Sequence, residues 1–508
     1  MIEADGDVVV FGSSFAGSLT ALIAERIGLR PVLVEKRSHP RFALGESSTP
    51  VADMVLRDLA LRYDLPRLLP LTKYGLWRRE LPHVVCGRKR GFSFFKHLPG
   101  ERFRTDSRHA NELLVTASVD DERSDTHWLR SDVDAYFAAE VERNSIPHLD
   151  RTEVTAIVPE RAGRRWRLTG SRDGEAVRIA GDFLIDSTGE AGLVGRALGL
   201  ERTSLAFETD SRALYAHFEG LTAWRDMMTS AGFDTADHPF DCDAAAVHQI
   251  LHGAWMWQLR FDNGVTSAGL VLDNRRAPPN PALSADEEWR HRLSRYPSLA
   301  EQFAQARIVG PSPGRLVRTG RLQRRWSACA GPASSMVPAP GGSVDALFSS
   351  GIAQSLCGIE RLASILERDW RTDRLEGSLA EYERAVFSET AFVDELVGGS
   401  FRLLDRFDLF ASFSMLYFAA ATTYERRRAE NSGRAGYRGQ FLCADDAALR
   451  ASVAAVSARA RELAAAESDA GAADFAAAVA LAIEPFNTAG LCDPRAANMY
   501  CYTAAPVE

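Results

Sequence analysis

The stretch Asp7-Val8-Val9-Val10-Phe11-Gly12-Ser13-Ser14-Phe15-Ala16-Gly17, DVVVFGSSFAG, decides how the rest of the chain is read. A β-branched run ends on a glycine, and residues 16–27 continue with the apolar spacing of a helix. A second apolar run, 31–34, ends on Glu35, 23 positions after Gly12. A dinucleotide-binding unit requires that order: amides at the helix N-terminus meet the pyrophosphate, and the carboxylate accepts the ribose hydroxyls. Gly12, Phe15, Ala16 and Gly17 fall in the turn, and Ser14 stands where a second glycine is expected, small enough for close approach. Glu35 followed by Lys36 and Arg37 leaves FAD, NAD and NADP open. The plain alternative is an ordinary strand-to-helix turn.

The totals bound what this unit belongs to. A chain of 508 residues is too long for one core and predicts two or three substructures. Its 46% apolar and 25% charged residues are those of a globular protein, and a net charge of −8 gives no reason to expect nucleic acid. No apolar run is long enough to span a membrane, and the N-terminus lacks the basic-then-apolar pattern of a signal peptide. Seven scattered cysteines without CxxC spacing fit reduced thiols, with neither a zinc site nor a disulfide framework expected. The expectation is a cytoplasmic protein without a metal.

After the second apolar run comes Arg41-Phe42-Ala43-Leu44-Gly45-Glu46-Ser47-Ser48-Thr49-Pro50, a turn whose proline starts a helix over 51–62. With this segment the chain resembles flavin-dependent halogenases of the phenol and pyrrole type, and their relatives in the FAD monooxygenase superfamily. In them a Gly-Glu-(Ser/Ala)-Thr-x-Pro-like segment lies along the flavin. The resemblance makes FAD the cofactor and places Arg41, Glu46 and Ser47 beside it.

Four later segments extend the resemblance over roughly residues 5–370. His127-Trp128-Leu129-Arg130-Ser131-Asp132-Val133-Asp134 is similar to a helix start near the adenine, which puts Arg130 at the cofactor. The competing reading is a helix capped by Ser131 or Asp132. Phe183-Leu184-Ile185-Asp186-Ser187-Thr188-Gly189 is an apolar strand entering a turn, similar to the family's second FAD-contacting strand through Asp186 and Gly189. Trp255-Met256-Trp257-Gln258-Leu259-Arg260 falls where halogenases carry Trp-x-Trp-x-Ile-Pro, with Leu259 for Ile and Arg260 for Pro. On a strand both indoles share a face. The resemblance makes them a wall between flavin and substrate; core packing is the alternative.

The fourth segment, Val344-Asp345-Ala346-Leu347-Phe348-Ser349-Ser350-Gly351-Ile352, resembles an Asp-Pro-Leu-Phe-Ser-Ser-Gly stretch opening a helix whose N-terminal amides meet the flavin. Tryptophan halogenases have Glu at the position of Phe348, so the resemblance points to phenols and pyrroles. Gly331-Pro332 stands where many FAD monooxygenases have Gly-Asp, leaving Ser334 or Ser335 to replace the carboxylate.

In the family a lysine beyond the Gly-Glu-Ser turn receives the electrophilic halogen. Lys73, in Lys73-Tyr74-Gly75, lies 28 residues beyond Gly45 and takes that part here; Arg78 is the competing position. Residues 76–97 read as strand-like. The run Arg88, Lys89, Arg90 within them reads as a solvated hairpin turn, or as a docking patch for an acidic carrier protein. His83, His97 and His127 are candidate general bases, none singled out by spacing. Helical periodicity over 379–396 and 401–424, and the alanine-rich stretch 447–483 with a small-residue break at 468–473, predict a helical region over the substrate cavity. Residues 485–494 are predicted to fold back on the body.

The expected fold is α/β: an FAD-binding Rossmann-like, three-layer ββα domain with an inserted antiparallel substrate sheet (about 73–130 and 200–320) and a helical C-terminal region over 371–508. The resemblance implies an FADH2-dependent halogenase of secondary metabolism. Its implied partners are a separate flavin reductase, a halide ion and an aromatic substrate, free or carrier-bound; a homodimer is a further option. A flavin monooxygenase or dehydrogenase on the same fold is the competing enzyme, and a non-catalytic flavin-binding protein the third class.

Overall fold

Val8 and Val10 leave the first strand on one face, Val9 and Phe11 on the other, and all four are buried. The unbroken apolar run is therefore a strand covered on both sides, as in a parallel sheet. The computed structural model describes residues 1–160, 165–204, 207–431, 437–466 and 471–501. In it β1 (Ile2–Phe11) leads through α1 (Phe15–Arg26) to β2 (Pro31–Val34), and β1 pairs in parallel with both β2 and the strand Glu175–Asp186. Helices α1, Arg130–Arg143 and Ser350–Asp369 pack on the Val8/Val10 side. An antiparallel meander, Thr152–Pro159 and Trp166–Arg172, joins Glu175–Asp186 and covers Val9 and Phe11 with Trp166 and Leu168. The result is a three-layer ββα unit.

Between the two visits to this sheet run α2 (Pro50–Arg62), α3 (Tyr74–Glu80), β3 (Cys86–Lys89), β4 (Gly91–Lys96), β5 (Glu112–Thr116) and β6 (Asp125–Trp128). β4 and β5 join a nine-stranded sheet with Ser211–Glu219, Ala246–Leu251, Ala254–Arg260 and Thr266–Asp273 at its centre. That sheet departs from the all-antiparallel expectation: β4 runs parallel to Ala246–Leu251, and β5 parallel to Met499–Tyr500. Neither pair is joined by a hairpin, so no tight turn forces the antiparallel sense.

Residues 76–97 also differ from their reading. Tyr74–Glu80 is helical, because Trp77 buries its ring and donates from Nε1 to the Val84 carbonyl at 2.8 Å, closing the turn beneath it. Arg88-Lys89-Arg90 is not a turn: β3 runs through Lys89 and pairs with β6. Farther on, Leu375–Arg402, Phe407–Glu430, Ala447–Ala465 and Ala472–Ile483 are helices, and the first residues of the expected 468–473 break lie outside the described ones. The tail returns as the edge strand beside β5. No helix of the described residues is long and apolar enough to cross a membrane.

Candidate active site

The turn after β1 is built for close approach. Gly12 has φ +89°, a conformation that favours glycine. A Cβ at Gly17 would lie 1.8 Å from the Gly12 carbonyl oxygen, so only glycine lets α1 start against the turn. Ser14 caps α1 without a side-chain bond, leaving the first-turn amides, Ala16 among them, to another partner. Glu35 accepts from the Ser13 and Arg37 amides at 3.0 and 2.9 Å and from Arg41 at 2.9 Å. Burial works to raise its pKa, but Arg41 and those amides prevail and hold it below the ordinary range. Lys36 points away, paired with Glu153 at the surface.

The Gly-Glu-Ser turn lies beside this unit. Arg130 is the first residue of the helix Arg130–Arg143 and grips Asp134 with two bonds of 3.0 and 2.9 Å. It also donates to the carbonyls of Leu44 and Gly45 at 2.8 and 3.0 Å, and its guanidinium lies over Phe15. Phe15 N donates to the same Asp134, so one buried pair fixes both the turn and the start of α1. Neither Ser131 nor Asp132 caps the helix. Glu46 is buried against His217 at 2.8 Å, and Ser47 bridges to His127. The side chains of Arg41, Ser47 and His39 each keep a buried polar atom without a hydrogen-bond partner.

Asp186 is engaged within its own turn. Asp186 accepts from Thr188 N and Oγ1 through one oxygen and from Val194 N through the other, which shapes the turn at Gly189. Gly331 turns between two short strands, the second of which, Ser334–Met336, lies beside Glu175–Asp186. Ser349, at φ +54°, is the left-handed cap of Ser350–Asp369, with Gly351 and Ile352 in its first turn. Beneath that cap Asp345 accepts from Ser211 Oγ at 2.7 Å.

Trp255 and Trp257 do share one face of Ala254–Arg260, with ring centroids 6.1 Å apart and both buried. They belong to a continuous aromatic wall. Phe42 stacks on Tyr215 at 5.8 Å, Tyr215 meets Trp257, Trp255 meets His248 at 5.2 Å, and His248 stacks on Phe94 and Phe92. One end therefore touches the Gly-Glu-Ser side through Phe42 and His217, the other Phe92. A Cβ on Gly269 would come within 2.2 Å of the Trp257 ring, so the neighbouring strand is notched for this indole. Gly269→Ala is expected to cost about 1–3 kcal/mol of stability by overpacking, read as an earlier urea midpoint; an unmoved midpoint would show the notch to be slack. Arg260, the departure from the family pattern, bonds Asp243 and the Leu221 carbonyl and takes no part in the wall.

Beyond Phe92 lies a groove lined by Thr49, Pro50, Phe92, Tyr417, Phe418 and Glu425, among others. Phe348 stacks on Tyr417 at 4.4 Å, and the Tyr417 hydroxyl donates to the Phe348 carbonyl. The helix Phe407–Glu430 thus forms one side of the groove. His97 and His127 are buried, pushed down to about 4 and about 3 by burial, and are neutral near pH 7; His83 is exposed.

The lysines divide differently from their sequence reading. Lys73 meets Asp53 at 3.5 Å and Asp125 at 3.9 Å, and its side chain stays 29% exposed. Burial opposes its charge, but the two carboxylates prevail and hold it above the ordinary lysine range. Arg78 is a surface partner of Asp262. Lys89 is fully buried: Nζ donates to the Ser48 carbonyl at 2.5 Å and lies 4.1 Å over the Phe92 ring. In the β3–β6 ladder it stands directly opposite Asp125. Burial pushes its pKa down to about 8 against the pull of Asp125 and Asp53. Arg88 and Arg90, on the outer face, both bond Asp121, so the basic run is a neutralised edge rather than a free patch.

Asp53, Asp125 and Tyr417 went unnoticed in the sequence, and Lys89 was read only as part of a solvated basic run. The signal for Lys89 was strand alternation, which turns it away from Arg88 and Arg90; nothing local marked the others.

The chain matches no protein-family model. It is 28% identical over 418 residues, 81% of this chain and 70% of the relative, to monodechloroaminopyrrolnitrin halogenase PrnC of Pseudomonas fluorescens. It is 27% identical over 434 residues, 83% of this chain and 74% of the relative, to tetracycline 7-halogenase of Kitasatospora aureofaciens. Its fold superposes on the crystal structure of halogenase PltM in complex with phloroglucinol and FAD with a TM-score of 0.84, at 22% identity, covering 98% of this chain and all of that one.

Proposed function

We infer that this chain, which belongs to the flavin-dependent halogenases, installs a halogen on an electron-rich aromatic of the phenol or pyrrole class, using FAD reduced by a separate reductase. The observation that carries this reading is the buried Lys89 at the Phe92 end of an aromatic wall whose other end is the Gly-Glu-Ser turn. The site residues fit the flavin. Gly12 and Gly17 clear the approach, and Arg41, Ser47 and His39 each keep a buried polar atom without a hydrogen-bond partner. The residues that would hold the flavin are Gly12, the amides of Ser14, Ala16 and Gly17, with Glu35, Arg41, Glu46, Ser47, Arg130, and the helix start Ser350-Gly351-Ile352. When bound, the reduced flavin would activate O2, the oxidant that converts halide to hypohalous acid.

The protein's own part is spatial. Trp255 and Trp257, with Tyr215 and His248, would separate a flavin bound beside the Gly-Glu-Ser turn from the groove. Lys89 as free amine attacks the hypohalous acid: an N–halogen bond forms and water leaves. A ring seated beside Phe92 and Tyr417 then takes the halogen at carbon and releases a proton. Lys73 is the counter-ion of Asp53 and Asp125 instead of the halogen carrier. Phe348, stacked on Tyr417, stands where tryptophan halogenases have Glu, which agrees with phenols and pyrroles over free tryptophan. A carrier-bound substrate, a homodimer and a cytoplasmic setting are compatible with this reading and add nothing to its chemistry.

The test is turnover with FAD, a reductase and NADH on a panel of phenols, pyrroles and indoles, with chloride, bromide or no halide. Halide-dependent halogenated products of phenols or pyrroles are expected; oxygen gain or loss of two hydrogens without halide would move the chain to the monooxygenase or dehydrogenase class. The pH profile follows from Lys89. Only the amine accepts halogen, so the rate should rise through about pH 8 as the ammonium loses its proton. Asp125→Asn removes a charge that favours the ammonium, so the rise should move to lower pH. A shift upward, or none, would dissociate Asp125 from Lys89.

A further inference from the structure

A second cluster lies on the far side of β5 from this chemistry and does not depend on the reading above. We propose that His109, Glu112 and His238 form a binding site for a divalent metal of the zinc class. Glu112 in β5 is fully buried, and the side chains of His109 and His238 are 6% and 3% exposed. His109 Nδ1 lies 2.5 Å from Glu112 Oε2, and His238 Nε2 lies 3.7 Å from the same oxygen. One ligand atom from each of the three falls within 4.8 Å of the others.

What points to a ligand is the set of atoms left over. Glu112 Oε1 and both ring nitrogens of His238 are buried without a hydrogen-bond partner. A buried carboxylate oxygen and an imidazole with both ring nitrogens unpartnered are unfavourable unless a cation answers them. Asp237 accepts from or faces His109 Nε2 at 2.9 Å, the carboxylate support that fixes a ligating histidine and presents its other nitrogen. Two imidazoles and a carboxylate form a donor set suited to zinc. Zinc–nitrogen bonds of about 2.0–2.1 Å put tetrahedral ligand atoms roughly 3.3 Å apart. The His238–Glu112 separation is near that, while the shorter His109–Glu112 contact is a hydrogen bond that opens as the metal displaces its proton.

The site ties three segments. Asn498 Nδ2 donates to the His109 carbonyl at 3.1 Å, just before the tail strand Met499–Tyr500 pairs with β5. His238 comes from the loop ahead of Ala246–Leu251. A metal here would pin the tail and this loop to β5, whose Val115 lines the groove.

The test uses tag-free protein stripped with chelator and dialysed, titrated calorimetrically with Zn²⁺, and with Co²⁺ followed by absorbance. One equivalent should bind, with visible cobalt bands, no near-ultraviolet thiolate band, and a higher Tm with metal. Glu112→Gln and His238→Ala should each weaken binding by about tenfold or more, while Asp241→Asn, in the other carboxylate cluster, should not. Absence of saturable binding, a thiolate band, or affinity unchanged in both variants would overturn the proposal. If His238→Ala fails to fold, the wild-type cobalt spectrum and Glu112→Gln decide alone.

Discussion

Lys89→Met is expected to abolish halogenated product, a loss of at least about a thousandfold or roughly 4 kcal/mol of transition-state stabilisation, while flavin binding and NADH consumption persist. Methionine matches the length of the stem and keeps its packing on Phe92, but offers no nucleophilic amine. The mirror experiment is Lys73→Arg. Arginine keeps the cation that Lys73 sets against Asp53 and Asp125 at 3.5 and 3.9 Å but cannot carry halogen as an amine. Product should therefore survive in Lys73→Arg within about tenfold, a barrier change of about 1.4 kcal/mol. Survival in Lys89→Met with loss in Lys73→Arg would restore Lys73 to the catalytic position.

The second large effect falls on the cofactor. Gly17→Val is expected to weaken FAD binding at least about a hundredfold, or roughly 2.7 kcal/mol, measured by titration of flavin fluorescence. The first carbon of the new side chain would lie 1.8 Å from the Gly12 oxygen and 2.3 Å from Ser187 Oγ. Both belong to structure that cannot yield: Ser187 Oγ donates to the carbonyls of Phe11 and Gly12, locking the turn to the parallel sheet. The turn must then open, and α1 must draw its amides away from the phosphate position. Circular dichroism separates this outcome from unfolding; a variant folded like wild type with unchanged FAD affinity would place the cofactor elsewhere.

The fold was legible where physics is local. Val8 to Phe11, the glycine turn and Glu35 announce a parallel strand and a nucleotide helix without help from distant residues. The Trp255/Trp257 pair was legible as a face because strand alternation fixes it, although the notch at Gly269 was not. Lys89 was misread because a cluster of three basic residues looks solvated by composition, whereas its burial comes from its pairing with β6 across the ladder. Asp53 and Asp125 look like ordinary surface acids in sequence; only folding brings them to the same lysine. Arg130 illustrates the opposite case: its motif was visible, but its grip on Asp134 and the Gly45 carbonyl, with neither Ser131 nor Asp132 capping the helix, is set by folding. The tail was expected to fold back, and the strand pairing that fixes where is non-local.

The measurement that tests the central claim most directly is peptide mass spectrometry after rapid quench of the reduced enzyme with O2 and bromide, with aromatic substrate withheld. The account predicts the paired isotope signature of bromine on the peptide that carries Lys89. Bromine on the Lys73 peptide, or on neither, would contradict it.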